Sequence, residues 1–140
     1  MSLSKLWNWE VLMNVILSIK PQFVQEIIAG RKKFEFRKKI FKQQIQKVYI
    51  YSSSPECKIV GEFVLGAIVE GTPMTVWEKT NKHSGITKAF YDSYFLNRKI
   101  AYALKIVDFI KYENPVNPYT VLSDFTPPQS YRYVENLNLK

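Results

Sequence analysis

The segment Ile59–Glu70 limits this chain more than any other. It is a long strand-like run, apolar on both sides in places, and it carries Gly61 and Gly66. Glycines inside a strand mark bulges or sharp bends. Strands that bury both faces and bend at glycines suit a small, curled, barrel-like sheet.

The remaining segments supply partners for it. Val15–Ile19 reads as a short buried strand. Pro21 opens an amphipathic helix through Ala29, because proline is tolerated where the first helical N–H has no partner anyway. Phe23/Ile27 and Val24/Ile28 form its apolar face at four-residue spacing, and Gly30 ends it. Lys33-Phe-Glu-Phe-Arg37 alternates as a strand, with Lys33, Glu35 and Arg37 on one face about 7 Å apart. Lys47–Ser52 is a further strand, broken by Ser53-Ser-Pro55. Thr72-Pro73 starts a helix that runs to about Lys82. Thr87 caps a second helix to Leu96, with Ile86 and Tyr91 as a hydrophobic staple. Ala101–Phe109 is the last long strand. After Asn114, four prolines favour an extended tail packed on the domain. This order rarely alternates strand and helix, so it predicts an α+β domain with a curled mixed β-barrel and short flanking helices.

At 140 residues there is room for one domain, and 21 aromatic residues make a buried core feasible. A single cysteine, Cys57, excludes an intramolecular disulfide, and a single histidine, His83, argues against a structural zinc site. No apolar run approaches the roughly 20 residues of a spanning helix. The expectation is a soluble cytoplasmic protein without a metal or cofactor. The net charge of +8 is concentrated. Between Arg31 and Lys47, eight basic residues face the single acid Glu35, so this stretch carries +7. Such a patch is the footprint expected for a phosphate backbone. A solvated, solubilising face would look the same from charge alone.

Ser18-Ile-Lys-Pro21 followed by Ile27-Ile-Ala-Gly-Arg-Lys-Lys-Phe-Glu-Phe-Arg37 resembles the G-x-K-x-x-E-x-R signature of ASCH domains. Tyr51-Ser-Ser-Ser-Pro55, Ile59-Val-Gly-Glu-Phe63, Trp77-Glu78, Ser84-Gly-Ile86 and Tyr102-Ala-Leu104 continue the resemblance, with a weaker echo at Thr126-Pro-Pro-Gln-Ser130. It places a PUA-like domain at residues 13–113, an N-terminal extension at 1–12 and a proline-containing tail at 114–140. It implies RNA or nucleotide binding, in RNA-linked or transcriptional regulation. Some relatives are enzymes. The catalytic lysine of bacterial acetylcytidine amidohydrolases falls on Lys32, whereas Glu35 and Ser84 stand at their other two catalytic positions. Ribonuclease activity is also attributed to an ASCH relative.

The leading reading is therefore a basic cleft for RNA or a nucleotide-containing ligand, built from Lys20, Lys32, Lys33, Glu35, Arg37, Lys38, Lys39, Ser52 and Ser53. Arg37, beside Glu35, offers donors to a phosphate or base. The alternative is a hydrolase on a modified nucleoside, or a ribonuclease, with Lys32 and Glu35 as its catalytic pair. A third is a protein-interaction regulator that meets no nucleic acid. Tyr49 and Tyr51 share a strand face and read as core, as do Trp77, Phe90 and Tyr94.

Overall fold

The computed structural model describes residues 12–137 and 139. The extension read at residues 1–12 lies outside the described residues except for Leu12. Six strands form one mixed sheet in the order β2-β5-β4-β3-β1-β6. They are β1 (Met13–Ile19), β2 (Phe34–Arg37), β3 (Ile45–Ser52), β4 (Lys58–Gly71), β5 (Ala101–Val116) and β6 (Tyr131–Val134). Only β1 and β3 pair in parallel; the other ladders are antiparallel. The helices are α1 (Pro21–Ile28), α2 (Pro73–Thr80) with a 3₁₀ turn after it at Asn81–His83, α3 (Lys88–Tyr94) and α4 (Pro118–Val121). Among the described residues, no helix is long and apolar enough to cross a membrane.

The apolar pattern explains the layers. Val15, Leu17 and Ile19 of β1 turn to one face and meet Val24 and Ile27 of α1, together with Val48, Ile50 and Phe63. Ile16, Tyr49, Tyr51 and Ile59 turn to the other face and meet Tyr112, Phe125 and Val134. The central strands are thus covered on both sides, as the doubly apolar β4 requires. A third cluster, Phe36, Val76, Tyr91, Phe95, Ala101 and Ala103, joins β2 and β5 to α2 and α3. Ile86 packs against that cluster with Tyr91, and the Thr87 hydroxyl accepts a hydrogen bond from the Phe90 N–H at 3.1 Å. Gly30 ends α1 at φ +79°, a conformation that glycine adopts without a Cβ penalty.

The curl comes from the β4–β5 ladder. Its register shifts at Ile59/Gly61, Glu62/Val64 and Leu65/Ile68, so two of the three irregularities fall at the glycines. The sheet does not close into a barrel. Its end strands, β2 and β6, have four residues each, and no ladder joins them among the described residues. Instead, the Arg37 guanidinium at the end of β2 reaches over and donates to the Ser18 carbonyl of β1 at 2.6 Å.

The C-terminal third also differs from the sequence reading. Strand β5 continues past Phe109 to Val116. Pro115 is tolerated there because β2 pairs only with Tyr102–Lys105, leaving that part of β5 without a neighbour on one side. The tail then forms α4 and adds β6 to the edge of β1.

Candidate nucleic-acid cleft

Where the curled sheet stays open, the ends of β1 and β2 and the start of α1 enclose a cleft of about 540 Å³. Small-ligand sites typically occupy about 300–1,000 Å³. Lys20, Lys32, Glu35, Arg37 and Ser53 line it together with Ser54, so the structure brings five of the nine predicted residues together.

Lys32 is the most unusual of them. Amid a run of exposed basic residues, its side chain is only 2% exposed. The cause is local. Gly85 sits directly against Lys32 at φ +65°, and any Cβ there would collide with the Lys32 Cβ. This close approach holds Lys32 in a bridge to Ser84, whose carbonyl accepts from Lys32 Nζ at 3.0 Å. Nζ also lies 3.6 Å from Glu35 Oε1 and 4.7 Å from the centre of the Phe36 ring. Burial pushes the Lys32 ammonium below its ordinary pKa, and the Glu35 carboxylate only partly opposes the shift.

Glu35 links this buried amine to the cleft. Its other oxygen, Oε2, is 3.1 Å from Arg37 Nη2, which also donates to Ser18 O. Glu35 therefore orients both cations. Arg37 Nε is buried with no hydrogen-bond partner among the described residues. A buried, unpaired donor costs about 1–3 kcal/mol, a cost the fold carries to hold this guanidinium in place. Lys20, exposed at the N-cap position of α1, adds a second charge at the rim. One acid against three cations makes the lining net positive.

Four predicted contacts do not line the cleft. Lys33 precedes β2, and its backbone is taken up by His83 O and Ile106 N, so its side chain points to solvent. Lys38 and Lys39 lie in the exposed turn after β2. Lys38 still touches the cleft indirectly, with Nζ 4.6 Å from the centre of the Tyr94 ring. Ser52, the last residue of β3, is completely buried in the sheet, its hydroxyl without a partner among the described residues.

Other lining residues were not anticipated. Phe90 and Tyr94 read as core, yet both line the cleft with Phe23 and Ile86. Phe90 is 36% exposed, because α3 buries only Tyr91 fully and turns its neighbouring face outward. Trp77 does pack inside, against Tyr91. Tyr51 combines both roles. Its ring packs on Phe125, while burial and then the adjacent Cys57 thiol push its hydroxyl up to about 12. Pro127 and Pro128 also line the cleft, and the Ser18 hydroxyl donates to the Pro128 carbonyl at 2.6 Å. Their only sequence signal was the weak Thr126–Ser130 echo.

An open, curled mixed sheet with short helices over its gap is the PUA-like architecture. Residues 17–111 match the ASCH domain, and the chain belongs to that family. A relative from Zymomonas mobilis, called an ASCH domain-containing ribonuclease, is 27% identical over 126 residues, covering 85% of this chain and 82% of that protein. The crystal structure of ASCH from Zymomonas mobilis superposes with a TM-score of 0.80 at 26% identity, covering 87% of each chain. Large ribosomal subunit protein uL22 from Ureaplasma parvum is 29% identical over 130 residues. That match covers 90% of this chain but only 40% of the ribosomal protein.

Proposed function

We propose that this protein binds RNA through the cleft between α1 and β2, as an RNA-linked regulatory module. The observation that carries this reading is the Arg37 guanidinium. Glu35 and Ser18 fix it in place, and it lines the cleft together with Lys20. A preorganised, partly desolvated guanidinium matches a phosphate oxygen better than a freely solvated lysine does. The exposed Lys33, Lys38 and Lys39 then track phosphates on either side. The likeness to a protein named an ASCH domain-containing ribonuclease supports the same ligand class.

Filter binding with single-stranded RNA at several salt concentrations tests it. Each phosphate neutralised on a single strand contributes about −0.7 to the slope of log K against log salt. Two to five contacts therefore predict a slope of about −1.5 to −3.5. A flat dependence, or no retention of RNA, rejects phosphate binding.

Lys32 favours a second reading, ribonuclease activity. Its depressed pKa leaves more of the amine neutral than an ordinary lysine has. A neutral Lys32 takes the proton of a ribose 2′-hydroxyl. The 2′-oxygen attacks the adjacent phosphorus, and the bond to the 5′-oxygen breaks. Lys32 returns its proton to that oxygen, leaving a 2′,3′-cyclic phosphate and a 5′-hydroxyl. Glu35 and Arg37 hold the amine and the phosphate. Labelled RNA cleaved by the wild type and left intact by Lys32→Met supports this reading; RNA left intact by both removes it.

A further inference from the structure

One wall of the cleft has no part in phosphate binding. Phe23 of α1 and Phe90 of α3 meet edge to face at 5.1 Å, and Phe90 and Tyr94 lie nearly parallel, 12° apart with centres separated by 6.4 Å. Cations flank these rings. Lys32 Nζ lies 5.5 Å from the Phe23 ring centre, and Lys38 Nζ lies over Tyr94. Phe90 leaves more than a third of its surface open in this setting. A phosphate alone makes no use of such a wall, and a purely apolar ligand makes no use of Arg37 and Lys20. A nucleotide uses both, because every base has a π-face and every nucleotide carries an anionic group.

We infer that the cleft takes one unstacked base, laid against Phe23, Phe90 and Tyr94, with the same nucleotide's phosphate on the Arg37 guanidinium and Lys20. This deepens the RNA reading and rests on it for the polymer, though not for the pocket. The cavity of about 540 Å³ is the size of a single-nucleotide site rather than a groove for a helix. A base reaches it only by leaving its stack, so single strands, loops and bulges are the substrate class and continuous duplex is disfavoured. The wall contributes stacking, which tolerates any base, so discrimination among bases is expected to be modest.

Calorimetric titration of the full chain with each of the four nucleoside monophosphates and with ribose 5-phosphate tests the pocket directly. The monophosphates are expected to bind about ten-fold tighter than ribose 5-phosphate, as one base–aromatic contact predicts. Phe90→Leu keeps an apolar side chain and removes the π-face. It should erase most of that difference while leaving ribose 5-phosphate binding unchanged in a variant that a melting curve shows to be folded. Equal affinity for ribose 5-phosphate and the monophosphates, an unaltered Phe90→Leu titration, or no binding of any of them overturns the inference. The two readings fail separately. Monophosphate binding without RNA binding keeps the base pocket and removes the polymer. RNA binding that is equal for single strand and duplex, without a base preference over ribose phosphate, does the reverse.

Discussion

At the scale of single residues, the burial of Lys32 decides most of the site's chemistry. Charge and spacing leave it one lysine among several, and only the family resemblance singles it out. Its burial depends on Gly85, more than fifty residues away, which lets the Ser84–Gly85 backbone press against it. Gly85→Ala should therefore cost about 1–3 kcal/mol through overpacking, with added strain from the positive φ. Chemical denaturation reads this cost, and unchanged stability would contradict the packing. Lys32 also makes stability depend on pH. Its folded pKa lies below its unfolded value, so the unfolded chain binds more protons between the two. Stability from this residue is therefore expected to rise with pH up to the ordinary lysine range. Tyr51 and Tyr91, both pushed up to about 12, act in the opposite direction once the unfolded tyrosines ionise near 10. Below that pH, the wild type should gain stability relative to Lys32→Met as pH rises; a constant difference would mean that Lys32 is not desolvated.

At the scale of elements, local rules were legible and long-range ones were not. Pro21 and Gly30 bracket α1 almost as read, and Thr87 caps α3, because both signals lie within one turn of the residues they govern. Thr87→Ala should cost about 1 kcal/mol. Because α3 carries Phe90 and Tyr94, ligand affinity should fall with it; a thermal melt and a binding curve check both. Gly61 and Gly66 were legible as bend points, and the reason is close packing. A Cβ on Gly61 would lie 2.5 Å from the Ile110 carbonyl oxygen of the paired strand. Gly61→Val is expected to destabilise the sheet strongly, as measured by denaturation. Strand β6 was missed because Pro127 and Pro128 shortly precede it and its four residues gain regular structure only by pairing with β1. The aromatic wall was missed for a related reason. An aromatic stripe on a helix has the same spacing whether it faces the core, as Tyr91 does, or an open cleft, as Phe90 does.

At the scale of the whole molecule, the charge concentrated in residues 31–47 is divided by the fold between two tasks. Lys32 and Arg37 go inward to a cleft organised by Glu35, while Lys33, Lys38 and Lys39 stay in solvent. The signature Gly30–Arg37 was readable as a candidate site because its residues are contiguous. The opposing contributions of Ser18, Tyr51 and Pro127–Pro128 lie in separate segments that the resemblance touches one by one, and only the curl of the sheet brings them together. Inner and outer cations should behave differently. Lys39→Ala should reduce the salt slope by about 0.7, with a small loss of affinity. Replacing Arg37 should reduce affinity at every salt concentration.

The most direct test is the affinity of a short single-stranded RNA, measured by fluorescence anisotropy for the wild type, Lys20→Glu and Arg37→Gln, with melting curves to verify folding. Removing a charge-assisted hydrogen bond is worth about 1.5–3 kcal/mol, so Arg37→Gln should weaken binding about ten- to a hundred-fold. Lys20→Glu, at an exposed position that leaves the core untouched, should weaken it as well. Folded variants that bind RNA as tightly as the wild type would contradict the cleft as the binding site.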